Sequence, residues 1–278
     1  MTHIHDKNYP GLQYLIADNI HSPDVAAIFS TRNGGVSGQT FETEHLRSLN
    51  LGFNSEGETY EHTAENYKIV ASSQGFSVAD VIGLQQRHTD IVIAIDEEKL
   101  LEDTVFYRIN EEADALVTNV KGVLLSISIA DCVPILLYDD KHKAIGAAHA
   151  GWRGTFSQIG AKTVRKMVEL YGADPADIQV AIGPAVGLCC YEVGYDFYYQ
   201  FIEAYGEKID AFFSAQLGKV PHCDLKAMNK SFLMEAGVPS SNIEVSELCT
   251  RCNPELFYSH RRSGNKRGSM AAFIGMRK

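Results

Sequence analysis

The chain has 278 residues, a mass of 30.7 kDa and a formal net charge of −10, a balance that argues against a nucleic-acid binder. Hydrophobic content of 45% and charged content of 22% are those of an ordinary globule able to bury a sizeable core. No 18-residue apolar run suits a membrane, MTHIHDKNYPGLQ lacks the features of a secretory signal, and six cysteines are too few for a disulfide scaffold, so a cytoplasmic chain with free or metal-ligating thiols is expected.

In chain order, the residues around His3 and His5 read as a frayed terminus, and 25–29 as a short strand running into the turn Thr31-Arg-Asn-Gly-Gly35. Residues 61–74 have helical spacing and stop at Gly75. Residues 81–84 and 91–95 read as strands on either side of Gln85-Gln-Arg-His88. The buried-strand pattern 122–130 stops at Asp131-Cys132, 133–138 continues extended, and 144–148 returns to His149. A helix after Gly154 is expected to bury Val164, Met167, Val168 and Tyr171 and to end at Gly172. Strands at 179–182, 242–248 and 270–275 and helices at 195–205 and 225–235 complete the pattern. Strands and helices mix without strict alternation, which predicts an α+β (mixed α/β) fold in one domain spanning residues 1–278.

His88, Cys132 and His149 each stand where a strand gives way to a loop. Two imidazoles and a thiolate are good ligands for a divalent zinc and leave a fourth position open for chemistry. The competing reading is two core histidines and a buried thiol. Asp114 and Asp131 lie close enough in sequence to orient an imidazole, although Asp131 could equally cap a turn. Cys249-Thr-Arg-Cys252 lacks a suitably spaced second pair, because adjacent Cys189 and Cys190 are a poor geometry for one ion. These are read as structural thiols.

The charge is also uneven. Residues 251–278 carry seven basic residues against one acid, a tail of +6, so residues 1–250 carry −16. Arg261 lies in that tail, Arg153 sits between glycines beside the only Trp, and Arg32 adjoins a Gly-Gly turn whose amides could cradle an anion. Together they suggest an anion site in an acidic protein.

In this order, Phe29-Ser-Thr-Arg-Asn-Gly-Gly-Val-Ser37, Ser48-Leu-Asn-Leu-Gly52, Gln86-Arg-His88, Asp114-Ala-Leu-Val-Thr118, Ala130-Asp-Cys-Val-Pro134, His149-Ala-Gly-Trp-Arg-Gly154, Gly183-Pro184, Cys190-Tyr-Glu192, Cys249-Thr250 and Arg261-Arg262 are similar to the YfiH-type laccase-domain proteins. The resemblance implies a domain of mixed β-sheets flanked by helices, and zinc on His88, Cys132 and His149. It implies phosphorolysis of adenosine, inosine and methylthioadenosine with inorganic phosphate, and in some members adenosine deamination. Cys132, Arg153 and Asp131 are then expected at the reaction centre and Arg32, Asn50 and Arg261 on substrate. One departure stands out: where the family carries Thr-Gly-Arg before the last strand, this chain has Arg267-Gly268-Ser269.

The family's laccase label implies copper. Ten histidines with a single His-x-His pair, His3-Ile-His5, do not suit a multicopper cluster, so oxidase activity would require Cu2+ in the His/His/Cys site. Two other readings compete. One makes Cys132 a nucleophile with His149 as base, an amidase or cell-wall precursor editing hydrolase. The other is a metal-stabilised partner-binding protein without turnover.

Overall fold

The computed structural model describes residues 1–40, 42–101, 107–214 and 220–278. The strands of its first half are β1 (Thr2–His5), β2 (Gln13–Ile16), β3 (Val25–Ser30), β4 (Val81–Gln85), β5 (Val92–Ile95), β6 (Tyr107–Glu112), β7 (Ala115–Thr118) and β8 (Leu124–Ile129). Those that follow are β9 (Val133–Asp139), β10 (Ala144–Ala150), β11 (Gln179–Ile182), β12 (Phe213–Ser214), β13 (His222–Cys223), β14 (Ile243–Val245) and β15 (Met270–Met276). The helices are α1 (Tyr60–Ser73), α2 (Glu97–Leu101), α3 (Trp152–Phe156), α4 (Ile159–Tyr171), α5 (Tyr195–Tyr205), α6 (Leu225–Glu235) and α7 (His260–Ser263). A seven-stranded sheet runs β1-β2-β3-β15-β8-β4-β6 and a six-stranded sheet runs β14-β11-β9-β10-β7-β5, both with parallel and antiparallel pairs.

The period-2 alternation of strand side chains explains how the sheets stack. Along β15, Met270, Ala272, Ile274 and Met276 join a core shared with Leu136, Tyr138, Ile145 and Ala147 of the other sheet. The intervening Ala271 and Phe273 pack with Tyr67 and Val70 of α1. Along β9, Ile135 and Leu137 face outward onto Val164 and Met167 of α4 and Phe232 of α6. Each sheet is therefore covered on both faces, in layers of helix, sheet, sheet and helix. This is why β8, β9 and β10 read as nearly unbroken apolar runs.

Capping sets the helix limits. The Thr59 side chain accepts from His62 N–H at the start of α1, that of Asp224 accepts from Ala227 N–H at the start of α6, and Gly172 ends α4 with φ +73°. Two expectations are corrected. His3 and His5 are not frayed: β1 pairs with β2 in the register Thr2↔Ile16 to His5↔Gln13, and the Met1 ammonium lies 2.8 Å from Asp18. Backbone pairing and the packing of Ile4 hold a strand whose other side chains are polar, so its sequence carries little apolar signal. The helix after Gly154 is two helices, broken where Gln158 takes φ +57°, and Val168 is 38% exposed because it lies at the edge of the buried stripe. Among the described residues no helix is long and apolar enough to cross a membrane.

Candidate active site and metal centre

The two sheets bring three remote residues together. His88 follows β4, Cys132 sits in the turn between β8 and β9, and His149 is the penultimate residue of β10, opposite Pro134. Their ligand atoms all lie within 4.8 Å of one another, with Cys132 Sγ 3.8 Å from His88 Nε2. His88 and Asp131 occupy the left-handed region, with φ of +60° and +87°. Such conformations persist only where the surroundings impose them. Gly151 follows immediately, and a Cβ there would stand 2.6 Å from His88 Cδ2 and 3.2 Å from Cys132 Sγ. Only glycine lets the backbone just after β10 pass so close to the His88 and Cys132 side chains.

Asp114 organises the centre from behind. Oδ1 lies 2.7 Å from His149 Nδ1, while Oδ2 accepts from Arg87 N–H, Thr89 N–H and the Thr89 hydroxyl at 3.1, 2.6 and 2.8 Å. One carboxylate thus fixes both the His149 ring and the turn that carries His88, and leaves His149 Nε2 as the ligand atom. Burial by itself would raise the Asp114 carboxyl, but the His149 hydrogen bond and charge, with the Thr89 donors, bring it down to about 2. Burial likewise opposes a Cys132 thiolate, yet the adjacent His149 charge and the hydrogen bonds from both imidazoles lower its pKa to about 6. His149 answers in the opposite direction: desolvation is outweighed by the Cys132 and Asp114 charges, and its pKa rises. The donor set fits a divalent ion that replaces the shared proton between thiolate and imidazole. In chelator-treated protein, Cys132 alkylation should fall off as pH drops through about 6, where an ordinary thiol loses reactivity near 9. A rate-against-pH profile with mass-spectrometric site assignment checks this.

The ligands open into a cavity of about 930 Å³, within the range of small-molecule sites. Arg153, Arg261 and Arg267 line it, with the aromatic rings of Phe53, Trp152 and Tyr191. The Arg153 guanidinium lies 4.3 Å over the Trp152 ring, and that of Arg261 lies 5.1 Å over Tyr191 and donates to Glu192 O at 2.9 Å. Arg267 was noted in the sequence only as displaced, yet it reaches the cavity. Its Nη1 bonds Gly268 O and Ser269 Oγ, each at 3.0 Å, and its buried Nε lacks a protein partner. Burial lowers its pKa, with Asp131 and Cys132 opposing. A buried donor without an acceptor beside the candidate metal ligands is a natural anchor for an anion.

Three sequence assignments change. Arg32 does not line the cavity: its guanidinium bonds Arg47 O at 2.9 Å and Pro254 O at 3.1 Å and packs 4.5 Å over Tyr258. The neighbouring Gly34 and Gly35 amides already donate to Ser48 Oγ. Asn50 is fully buried and joins Glu58, Gly52 and Ser269, so it braces the cavity wall from behind. Asp131 touches neither imidazole. Its carboxylate accepts from Thr250 Oγ1, Ser259 Oγ and Arg261 N–H, so it ties the Cys132 turn to the segment that carries Arg261. In each case the polar side chain is already held by backbone or side-chain partners, which spacing cannot reveal.

Residues 26–277 match the family described as multi-copper polyphenol oxidoreductase laccase. The chain belongs to that family. It is 35% identical over 260 residues to the purine nucleoside phosphorylase YlmD of Bacillus subtilis, covering 93% of this chain and 91% of that one. It is 36% identical over 200 residues to the adenosine deaminase RL5 of an unknown prokaryotic organism, covering 72% and 76%. The crystal structure of the Bacillus licheniformis hypothetical protein YfiH matches with a TM-score of 0.84 and 33% identity, over 99% of this chain and 98% of that one. The mixed-sheet fold expected from the sequence is therefore that of the laccase-domain family, whose named members include purine nucleoside enzymes.

A second group in this laccase-domain chain departs from expectation. Cys189, Cys190, Cys249 and Cys252 converge, with ligand atoms within 4.8 Å of one another. Adjacent side chains diverge along a strand, but Cys189 and Cys190 lie in a turn, where both can face the same way.

Proposed function

We propose that the protein is a zinc-dependent purine nucleoside phosphorylase acting on adenosine, inosine and methylthioadenosine with inorganic phosphate. The observation that carries this reading is the His88–Cys132–His149 group opening on a cavity lined by Arg87, Arg153, Arg261 and Arg267. Zinc on these ligands would supply Lewis-acid polarisation of a bound oxygen. Arg153, Arg261 and Arg267 hold the phosphate, and the unpartnered Nε of Arg267 gains an acceptor. A phosphate oxygen bonds to the ribose C1′ as the C1′–N9 bond breaks. The electron pair leaves with the purine, which takes up a proton, and the arginines offset the phosphate charge throughout. Phe53, Trp152 and Tyr191 offer rings against which a base can pack. Asp131 and Asn50 act as positioning residues and Arg32 as a structural one. A cytoplasmic setting, which keeps Cys132 reduced, suits this chemistry.

Purified protein given nucleoside and phosphate should release free base, followed by chromatography. Release should require phosphate, stop on chelation and return with zinc. Base release that ignores phosphate overturns the reading. One arrangement favours a second reading: Cys132, His149 and Asp114 form a hydrogen-bonded series of thiolate, imidazole and carboxylate, as in a cysteine hydrolase. Turnover that survives chelation but stops on alkylation would establish it. Adenosine deamination, after the name of the RL5 relative, would use the same centre with water in place of phosphate.

A further inference from the structure

We propose that Cys189, Cys190, Cys249 and Cys252 form a tetrathiolate zinc site that pins the wall of the catalytic cavity. β11 and β14 are parallel neighbours, so the segments that follow them leave the sheet at the same end, where Ala185 and Cys249 form an isolated bridge. The first segment supplies Cys189 and Cys190, the second Cys249 and Cys252. Cys252 Sγ lies 3.6 Å from Cys189 Sγ and 3.4 Å from Cys190 Sγ. Tetrahedral zinc with Zn–S bonds of about 2.3 Å sets its sulfurs roughly 3.8 Å apart, so four sulfurs within 4.8 Å need little adjustment. The Gly187 N–H donates to Cys249 Sγ at 3.2 Å, a bond that stabilises a thiolate. The buried Lys226 ammonium donates to Ser246 O and to Leu248 O, the residue before Cys249, and brings positive charge to a group that would carry four negative ones.

The surroundings favour a metal staple. The apolar packing here is small: Val186, Cys190 and Cys249 form a cluster of their own, with Tyr191 against it. Yet the two segments carry Val186, Tyr191 and Arg261 of the cavity lining, and Thr250 bonds the Asp131 carboxylate next to Cys132. Loops with so little core gain order from a cross-link, and four protein ligands leave no open position for chemistry. The site is thus structural and distinct from the His88–Cys132–His149 group. Cys189 and Cys252 lie at the surface, where the ion can enter from solvent.

The test separates this site from the catalytic one. In the full chain carrying Cys132→Ala, purified with zinc under reducing conditions, elemental analysis should find about one zinc per chain, and adding Cys189→Ser and Cys252→Ser should bring it to background. A wild-type footprint guards against misfolding of the triple variant. Cys189 and Cys252 are exposed, yet they should resist alkylation in the zinc-loaded protein and react many-fold faster after chelation. Zinc absent from the Cys132→Ala protein overturns the proposal. So do exposed thiols that alkylate at the same rate with or without zinc, or disulfides among the four in the reduced, zinc-supplemented protein. None of these outcomes depends on nucleoside turnover.

Discussion

Cys132→Ala is expected to remove metal binding at the His88 centre and nucleoside phosphorolysis together, lowering turnover by several orders of magnitude. Cys132 supplies the only sulfur of this group and the negative charge facing His149. Without it, two imidazoles remain, one of them on an exposed turn, and neither offsets the charge of a divalent ion. The fold should survive. Cys132 is half-buried, and its turn is held from the other side by Asp131 and by Val186 N–H donating to Asp131 O at 2.9 Å. Circular dichroism should therefore match the wild type while metal content falls by about one ion per chain. Phosphorolysis retained in this variant would remove the metal from the mechanism, because alanine cannot ligate.

Asp114→Asn should reduce metal affinity or activity by about 10- to 100-fold, the usual consequence of losing the carboxylate behind a ligating histidine. The effect follows from counting donors. Asp114 accepts from Arg87 N–H, Thr89 N–H and the Thr89 hydroxyl as well as facing His149 Nδ1. An asparagine can accept at one oxygen only, so its amide would turn donors toward either the Thr89 turn or the imidazole. The substitution also changes acid stability. The folded carboxyl lies at about 2, below its unfolded value near 3.8, so its contribution is complete above about pH 4 and lost as pH falls through 2. That contribution is roughly 2 kcal/mol, with the His149 pairing counted once. Urea unfolding of metal-free protein should show the stability of the wild type falling more steeply between pH 4 and 2 than that of the variant, which keeps only the contributions of other depressed carboxyls such as Asp18, Asp90 and Asp140. A variant with normal metal affinity would show that the Asp114–His149 contact is merely structural.

Much of the frame was legible in the residues. Helices at about 195–205 and 225–235 were legible, the second from the stop signals Gly237 and Pro239, and the structure forms both. The buried-strand pattern at 122–130 became β8, and the extended stretches 133–138 and 144–148 became β9 and β10. His88, Cys132 and His149 were singled out by their places at strand ends, and the structure brings all three together. The N-terminal hairpin was missed because its pairing is made by backbone, and the break at Gln158 because no breaker residue marks it.

The basic tail shows where the boundary lies. Its excess of positive charge was plain in the sequence, but only Arg261 and Arg267 of it reach the cavity. Arg262 instead bonds the carbonyls of Thr250, Arg251 and Phe257, and Arg277 those of Gln74 and Pro23. Arg32 and Asn50, which lie in family motifs, proved to brace loops. By itself the sequence determined the α+β class, the helices at 195–205 and 225–235 and the three candidate ligands, because periodicity, caps and residue chemistry are local properties. The tertiary structure decided which arginines meet the His88–Cys132–His149 group, why Asp114 and not Asp131 holds the imidazole, and that four cysteines converge. Those outcomes depend on which strands lie side by side, and residues far apart in the chain become neighbours only when the sheet order sets them there.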